Sequence, residues 1–347
     1  MLFADVVLIS FFGILTIATT SKGELFAIRQ TVWVVIGVVG YLFVSNLDVR
    51  FIKRNGYLFY LFSISLLILV FVNGVLSHGA RRWISFGFVH IQPSEFIKLA
   101  VILMLAAYFD ENPKAEPYGF KDLIYPLFIV FFPIIFILKQ PDLGTAIVVL
   151  FIALSIVLIA GVKKSLIIRG VLLFLVLLPF MWSNLKPYQK DRIMGFIDPY
   201  SAPTTYGYNT IQSEIAIGSG GLFGCGIKSI SQTQLSFLPE NHTDFIFAVF
   251  SREWGLLGDL MLIVLYGFIV YRAFIIAKSA KSDFDQLTAI GVLSFIWISV
   301  IFNMGMTMGL LPVVGIPLIF FSYGGSATIT AFLAVGLLQA IKFREKL

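Results

Sequence analysis

The apolar residues of this chain fall into ten runs separated by polar segments. A helix needs about 20 mostly apolar residues to cross the hydrocarbon core of a membrane. The run near the end of the chain at 245–277 is too long for one straight span, so its first part, DFIFAVFSREWG, is expected to enter from the membrane interface. The pattern predicts an all-α integral membrane protein, one membrane domain over 1–347, with spans at about 4–20, 30–46, 56–73, 93–109, 123–138, 144–161, 166–184, 245–277, 288–308 and 326–342.

Two of the polar segments are unusual. The connection at about 185–243, between helices 7 and 8, is long, and a loop of that length in a compact protein is usually functional or disordered. Its Trp, Tyr, Gly and apolar residues favour order. The segment NMGMTMGLLPVVGIPLIFFSYGGSA (303–327) has Gly and Pro that would break a helix, and irregular backbone at membrane depth must be buried in protein or line a wet cavity. We therefore expect a re-entrant or loop segment before helix 10.

The basic residues predict the orientation. With both termini on one side of the membrane, that side receives 14 of the 25 Lys and Arg residues. Cytoplasmic loops carry the excess of basic residues, so the termini are predicted to be cytoplasmic and the 185–243 loop extracytoplasmic.

Composition agrees with a membrane protein. Hydrophobic residues make up 59% of the chain, charged residues only 13%, and the mean hydropathy is +0.94. A soluble domain of this length could not cover so much apolar surface. The net charge of +6 is therefore a topology signal and predicts no nucleic-acid partner, and the single cysteine excludes an internal disulfide.

Polar residues at membrane depth are functional candidates by default. In GARRWI, the pair Arg81 and Arg82 beside Trp83 suits either an interfacial anchor or a phosphate. In QPSEFIKLA, Glu95 and Lys98 are three residues apart, so they share a helix face and can pair. Their alternative reading is a helix-capping carboxylate with a lysine that reaches the interface.

Further polar residues follow along the chain. Asp142 begins a helix in KQPDLGTA. Its carboxylate could either stabilise the positive end of the helix dipole or belong to a functional site. Arg192 lies in PYQKDRIMGFIDP, a basic and aromatic segment typical of a headgroup surface. LPENHTDFIF places Glu240, His242 and Asp244 directly before an apolar run, where Asp244 could also be only a helix cap.

From the residues alone, two classes of function fit this polar outer face. One is a transporter of an anionic amphiphile, and the other is an enzyme that acts on a lipid-linked phosphate. The sequence pattern alone does not separate the two classes.

Six motifs occur in a fixed order: GARRWI, QPSEFIKLA, KQPDLGTA, GYNTIQSEIAIGSGGLFGCG, LPENHTDFIFAVFSREWGLLG and NMGMTMGLLPVVGIPLIFFSYGGSA. Together they resemble the shape, elongation, division and sporulation family over nearly the whole chain. YGYNTIQSEIAIGSGG is more similar to the elongation branch than to the division branch. The resemblance implies a peptidoglycan glycosyltransferase that polymerises lipid II at the outer face of the bacterial cytoplasmic membrane during elongation and shape maintenance.

The resemblance also implies roles for residues. The family's essential aspartate matches Asp244, the expected catalytic base. Its glutamate and lysine match Glu95 and Lys98, and its arginine and tryptophan match Arg82 and Trp83. One departure is visible: where the family usually has two glutamates before LG, this chain has Arg252 and Glu253, so only Glu253 carries over. The candidate substrate-binding residues are thus Arg81, Arg82, Trp83, Glu95, Lys98, Asp142, Arg192, Glu253 and Ser322.

The remaining expectations concern cofactors and partners. A divalent cation, Mg²⁺ or Mn²⁺, would suit the carboxylates and the pyrophosphate of the substrate, although no spacing here is diagnostic of a metal site. The expected partners are lipid II, membrane lipids, a class B penicillin-binding protein with transpeptidase activity, and other proteins of the elongation complex. Two alternatives stay open: a flippase for lipid II, and a non-catalytic scaffold for the penicillin-binding protein.

Overall fold

Ten long helices form most of the chain in the computed structural model, which describes residues 1–347 except 21–22, 78–79, 87–88, 227–237, 239 and 347. Two shorter helices, α8 and α9, lie between the seventh and eighth long ones. In chain order the helices are α1 (Leu2–Thr19), α2 (Gly23–Ser45), α3 (Val49–Asn73), α4 (Pro93–Glu111), α5 (Phe120–Lys139), α6 (Leu143–Ala160), α7 (Lys164–Asn184), α8 (Pro187–Ile197), α9 (Tyr208–Gly220), α10 (Ile246–Ser279), α11 (Asp283–Thr307) and α12 (Gly325–Lys346).

Each of the ten predicted spans coincides with one long helix, so the prediction of an all-α, multi-pass fold is confirmed. Within the described residues, eight of these helices are long and apolar enough to cross a membrane: α1, α2, α3, α5, α6, α10, α11 and α12. The other two long helices, α4 and α7, differ from each other sharply in burial.

Helix α4 lies at the centre of the bundle. Pro93 begins the helix, where its missing N–H would have had no partner. Most of its side chains are buried, and it packs against α3, α6 and α11. A helix buried on all sides belongs to the core. By contrast, all the described side chains of α7 except Leu166 are exposed.

Helix α10 is divided at Gly255, where φ is +64° and ψ is −167°. The break confirms that the long run is not one straight span. The glycine-rich segment 218–226 packs against the break, and its backbone bonds the groups that the break leaves free: Cys225 N donates to Arg252 O at 2.9 Å, and Leu256 N donates to Gly221 O at 2.9 Å. GSGGLFGCG therefore has a packing role that the sequence did not indicate.

A small antiparallel sheet between α3 and α4 was not predicted. Its strands are β1 (Val75–Ser77), β2 (Ala80–Phe86) and β3 (Val89–Ile91), in the order β1-β2-β3. Strands of three residues are too short to show an alternating pattern. In β2 the alternation turns Ile84 into the protein, together with Arg82, while Arg81 is exposed.

The two unusual segments are ordered where the structure describes them. The long connection contains α8, a short 3-10 helix at Pro199–Ser201, and α9. The residues 308–324 form turns and extended backbone between α11 and α12, as the Gly and Pro content predicted. Many of them are buried in protein, which supplies partners for backbone that no helix satisfies.

We predict that Gly255→Ala destabilises the protein by about 1–3 kcal/mol, because L side chains rarely adopt its positive φ. A Cβ atom there would also lie 2.3 Å from Gly224 N. The thermal midpoint of the purified protein measures the loss. Gly267→Ala in the same helix is the matched control, since a Cβ at Gly267 meets nothing within 4 Å. Equal midpoints for the two variants would contradict this account of the break.

Candidate active site

Asp244 lies in a tight turn just before α10. Glu240 begins the turn with φ of +54°, and its carbonyl accepts bonds from Thr243 N and Phe245 N, both at 3.2 Å. The Thr243 hydroxyl also donates to the Glu240 carboxylate at 2.9 Å. These local bonds fix the direction in which the chain enters α10.

The turn is held from outside by α11 and the 308–324 segment. The Asn303 amide donates to the carbonyls of Asp244 (2.9 Å) and Ile316 (2.8 Å). The Ser322 hydroxyl donates to Thr243 O at 2.7 Å and accepts from Leu318 N. Asn303 is fully buried, so these bonds form away from water. Ser322, a predicted substrate-binding residue, is engaged in holding the two segments together.

The Asp244 carboxylate is partly buried and accepts no hydrogen bond from any residue in the described part of the chain. Burial raises its pKa to about 6, and repulsion from Glu240 adds to the rise. Asp142 acts in the same direction, while Arg192 and Arg82 lower the pKa. The structure therefore brings Asp244 together with three of the predicted site residues: Arg82, Asp142 and Arg192.

Arg82 and Asp142 organise the turn that leads into α6. The Arg82 guanidinium donates to Gln140 O at 2.8 Å and to Pro141 O. Asp142 caps α6 through Thr145 N, and its Oδ2 accepts from Thr145 Oγ1 at 3.0 Å and from Gln92 Nε2 at 3.0 Å. The carboxylate of Asp142 thus satisfies a helix end, as its alternative reading expected, while its charge still acts on Asp244.

The remaining basic and aromatic candidates lie on α8 and β2. Arg192 is on α8, with its guanidinium 6.0 Å from the centre of the Tyr188 ring. Arg81 is exposed and Trp83 is partly buried, both on β2. The α8 helix places Arg192 where its charge acts on Asp244 and lowers the pKa of that carboxyl.

Glu95 and Lys98 form a separate pair. Lys98 Nζ lies 2.7 Å from Glu95 Oε1, and both side chains are buried, as their spacing predicted. The ammonium also lies 5.1 Å from the centre of the Phe295 ring on α11. The pair joins α4 to α11 near the Asp244 end of the bundle.

Glu253 also lies apart from Asp244. Its side chain is buried beside Thr19 of α1, next to the break at Gly255. Within the described residues, neither carboxylate oxygen has a hydrogen-bond partner of good geometry. Glu253 thus belongs to the helix break and not to the group around Asp244.

His242 is part of an aromatic stack. Its ring lies parallel to Phe26, with centres 4.5 Å apart, and close to Tyr323. Burial lowers the pKa of His242, against the influence of Glu240, so the ring is neutral at pH 7. Within the described residues, no three His, Cys, Asp or Glu side chains converge as metal ligands would.

Sequence reasoning missed the residues that position the site. Asn303 is the first residue of the sixth motif, and an amide there, near the end of an apolar run, is a signal in itself. Gly315 was also missed: a Cβ there would lie 3.4 Å from Asp244 Oδ2. Gln30 Nε2 donates to Ser322 O and Thr328 Oγ1, which ties α2 to the last loop. No spacing along the chain could reveal contacts between residues so far apart.

Comparison with known proteins decides the family. A family model described as cell cycle protein, for FtsW, RodA and SpoVE, matches residues 1–347. The chain belongs to the FtsW/RodA/SpoVE family. The resemblance predicted from the six motifs is confirmed.

The relatives of this family member cover most of its length. Peptidoglycan glycosyltransferase MrdB of Escherichia coli K12 is 42% identical over 296 residues, which are 84% of this chain and 80% of the relative. Stage V sporulation protein E of Bacillus subtilis is 38% identical over 317 residues, 90% of this chain and 86% of that one.

Solved structures show the same family fold. A chain of a peptidoglycan synthase complex, in a structure of the coordination of polymerization and crosslinking, aligns with a TM-score of 0.86 and 30% identity, covering 99% of this chain and 97% of that chain. The rod shape determining protein RodA of Thermus thermophilus aligns with a TM-score of 0.75 and 27% identity, covering 100% and 97%. The MrdB and RodA matches agree with the predicted similarity to the elongation branch.

We predict that breaking the Glu95–Lys98 pair on one side destabilises this family member more than removing both charges. Glu95→Gln or Lys98→Met alone leaves one buried charge unpaired and costs about 3–5 kcal/mol. The double variant should recover most of this loss, because no isolated charge remains. Thermal midpoints of the three variants and the wild type measure the coupling. Additive losses in the double variant would show that the two charges do not depend on each other.

Proposed function

We propose that the protein is a peptidoglycan glycosyltransferase that polymerises lipid II during cell elongation and shape maintenance, with Asp244 as the catalytic base. The observation that carries the proposal is the Asp244 carboxylate itself. It is partly buried and accepts no hydrogen bond from the described residues, and burial and the charge of Glu240 raise its pKa to about 6 against the influence of two arginines. Membership of a family that contains peptidoglycan glycosyltransferases supports the reaction class.

The first chemical need of the reaction is a proton acceptor. A sugar hydroxyl must lose its proton as its oxygen attacks the anomeric carbon of the donor. A base works best when its pKa is close to the working pH, since it is then mostly deprotonated and still basic enough to take the proton. At pH 7 a carboxylate with a pKa of about 6 meets both conditions. An ordinary aspartate, with a pKa near 4, would be a weaker base.

The second need is neutralisation of the departing lipid pyrophosphate. Arg82 and Arg192 both act electrostatically on Asp244. The negative charge that develops on the departing pyrophosphate would therefore form within reach of these two guanidinium groups. Guanidinium groups suit phosphate oxygens through paired N–H donors. Arg82 already uses two donors on the carbonyls of Gln140 and Pro141, which holds its position fixed before substrate binds. Fixed charges stabilise a transition state without reorganisation.

A divalent cation would add to this neutralisation. Mg²⁺ usually binds through one or two carboxylates together with substrate phosphates. The Oδ2 atom of Asp142 is occupied by donors, whereas Asp244 accepts no hydrogen bond from the described residues. Asp244 would hold such an ion through one carboxylate oxygen, together with the pyrophosphate, and would keep the other oxygen for the hydroxyl proton; the ion would supply positive charge at the leaving group.

The membrane arrangement follows from the topology. Asp244, Arg82, Asp142 and Arg192 lie at the end of the bundle opposite the chain termini, because α1 and α2 return the chain to the end where α3 begins. With cytoplasmic termini in the bacterial cytoplasmic membrane, the site faces outward, where the lipid-linked sugar would present its reactive bond. A class B penicillin-binding protein and other elongation-complex proteins are the proposed partners, supported by the structural match to a peptidoglycan synthase complex.

We predict that Asp244→Asn lowers the rate of glycan polymerisation by about 10²–10⁴-fold, because a general base contributes that much. The assay uses labelled lipid II with the purified protein and its penicillin-binding partner. The wild-type rate should fall as the pH drops through about 6, where Asp244 becomes protonated and loses its basicity.

The matched control is Asp191→Asn, an exposed carboxylate on α8, which should keep the wild-type rate. Wild-type polymerisation by Asp244→Asn would refute the assignment of the base. If the wild-type protein made no glycan but moved lipid II between leaflets, the transferase itself would be wrong and the flippase correct.

We predict opposite shifts of the pH–rate profile from the two charged neighbours of Asp244. Glu240→Gln removes a charge that raises the pKa of Asp244, so the acid limb should move to lower pH. Arg192→Gln removes a charge that lowers this pKa, so the limb should move to higher pH. Lys190→Gln, on the same helix, should leave the limb in place. Shifts in the same direction for Glu240→Gln and Arg192→Gln would contradict the proposed electrostatic environment.

A further inference from the structure

A polar cavity lies at the end of the bundle opposite Asp244. It has a volume of about 330 Å³ and opens where α3 begins, α4 ends and α11 begins. Its charged lining consists of Arg50, Lys53, Arg54, Asp110, Glu111 and Arg344. None of these residues belongs to the group around Asp244, and the proposed function assigns no role to the cavity.

The two carboxylates that line the cavity, Asp110 and Glu111, share one lysine. Lys53 Nζ lies 2.6 Å from Asp110 and 3.5 Å from Glu111. The other oxygen of Asp110 accepts a bond from Phe284 N at 3.0 Å, which fixes the first turn of α11 against α4. Arg344 of α12 pairs with Asp285 at 3.0 Å. These bonds tie four helices together around the cavity.

Two of the basic side chains that line the cavity form no ion pair with the described residues. The guanidinium groups of Arg50 and Arg54 line the cavity from α3, and within the described residues neither has an ion-pair or hydrogen-bond partner. They lie one turn apart on α3, so both can face the same ligand. With Asp285 included as the partner of Arg344, four basic side chains stand against three acidic ones, which leaves an excess of +1.

Two helix N-termini also reach the cavity, but each carries its own cap: the Asp48 side chain accepts a bond from Arg50 N, and the Ser282 hydroxyl accepts one from Asp285 N. Val49 at the start of α3 and Ser282, the N-cap of α11, both line the cavity. The first turn of a helix carries a partial positive charge, which favours an anion. Both helices are long, at 25 residues each. The guanidinium groups of Arg50 and Arg54, rather than the capped helix ends, therefore point to an anionic ligand.

We propose that this cavity binds a phosphate group, with Arg50 and Arg54 as its principal ligands. Guanidinium groups recognise phosphate oxygens through paired N–H donors. The volume is at the lower end of the range for ligand pockets, which suits a headgroup or a small phosphorylated compound. The proposed topology places the cavity on the cytoplasmic side, so the phosphate would come from an inner-leaflet lipid or from a soluble compound.

The test compares the two sources of phosphate with the purified full-length protein. In one arm, the protein is placed in phosphatidylcholine nanodiscs with or without phosphatidic acid, and retained phosphatidic acid is counted by native mass spectrometry. In the other arm, inorganic phosphate is titrated against chloride at equal ionic strength, and the thermal midpoint is followed. Arg50→Gln/Arg54→Gln is the test variant. Lys164→Gln/Arg169→Gln, with the same loss of charge at the same end of the bundle, is the control.

We expect the Arg50→Gln/Arg54→Gln variant to bind at least tenfold more weakly in one arm, and the control to change less than twofold. Loss confined to phosphatidic acid identifies a lipid headgroup, and loss confined to inorganic phosphate identifies a soluble ligand. No binding in either arm, or equal loss in both variants, overturns the proposal. Both arginines are exposed, so the thermal midpoint of the double variant without ligand should equal that of the wild type. If it falls, the single variant Arg54→Gln replaces the double variant in both binding arms. Glycan polymerisation, assayed separately, reports on Asp244 and not on this cavity.

Discussion

The side-chain amide of Asn303 is the contact on which the candidate site depends most. Within a membrane protein, a backbone carbonyl that leaves a helix or sheet must find a donor inside the protein, since no water is available. Asn303 supplies two donors at once, to Asp244 O and Ile316 O, from a fully buried position on α11. One side chain thereby joins the turn that carries the proposed base to the irregular segment that walls it.

The same requirement explains the other unusual parts of the fold. The break at Gly255 frees backbone groups in the middle of α10, and the glycine-rich segment 218–226 satisfies them with its own backbone. Side chains play this part at the loop before α12: Ser322 donates to Thr243 O, and Gln30 donates to Ser322 O. Polar groups are thus concentrated where the helices are interrupted, and the interruptions lie at the end of the bundle that holds Asp244.

Electrostatics at that end combines partial burial with balanced charges. Burial alone would favour a neutral Asp244, and Glu240 adds repulsion, whereas Arg82 and Arg192 favour the ionised form. The resulting pKa of about 6 keeps the carboxylate ionised but basic at neutral pH. At the opposite end, Lys53 and Asp110 cross-link α3, α4 and α11, so both ends of the same central helices are fixed by charged or amide contacts.

The sequence by itself determined the ten helices, their approximate bounds, the irregular segment before the last helix and the family. Apolar runs of membrane-spanning length and six ordered motifs are local properties, so they can be read without coordinates. It also indicated that Glu95 and Lys98 would pair, because a spacing of three fixes their relative position on a helix. The tertiary structure alone decided that the charges of Arg82, Asp142 and Arg192 act on Asp244, and that Asn303 holds the turn. Those relations join residues that are dozens of positions apart, and only the packing of the helices brings their side chains within reach of one another.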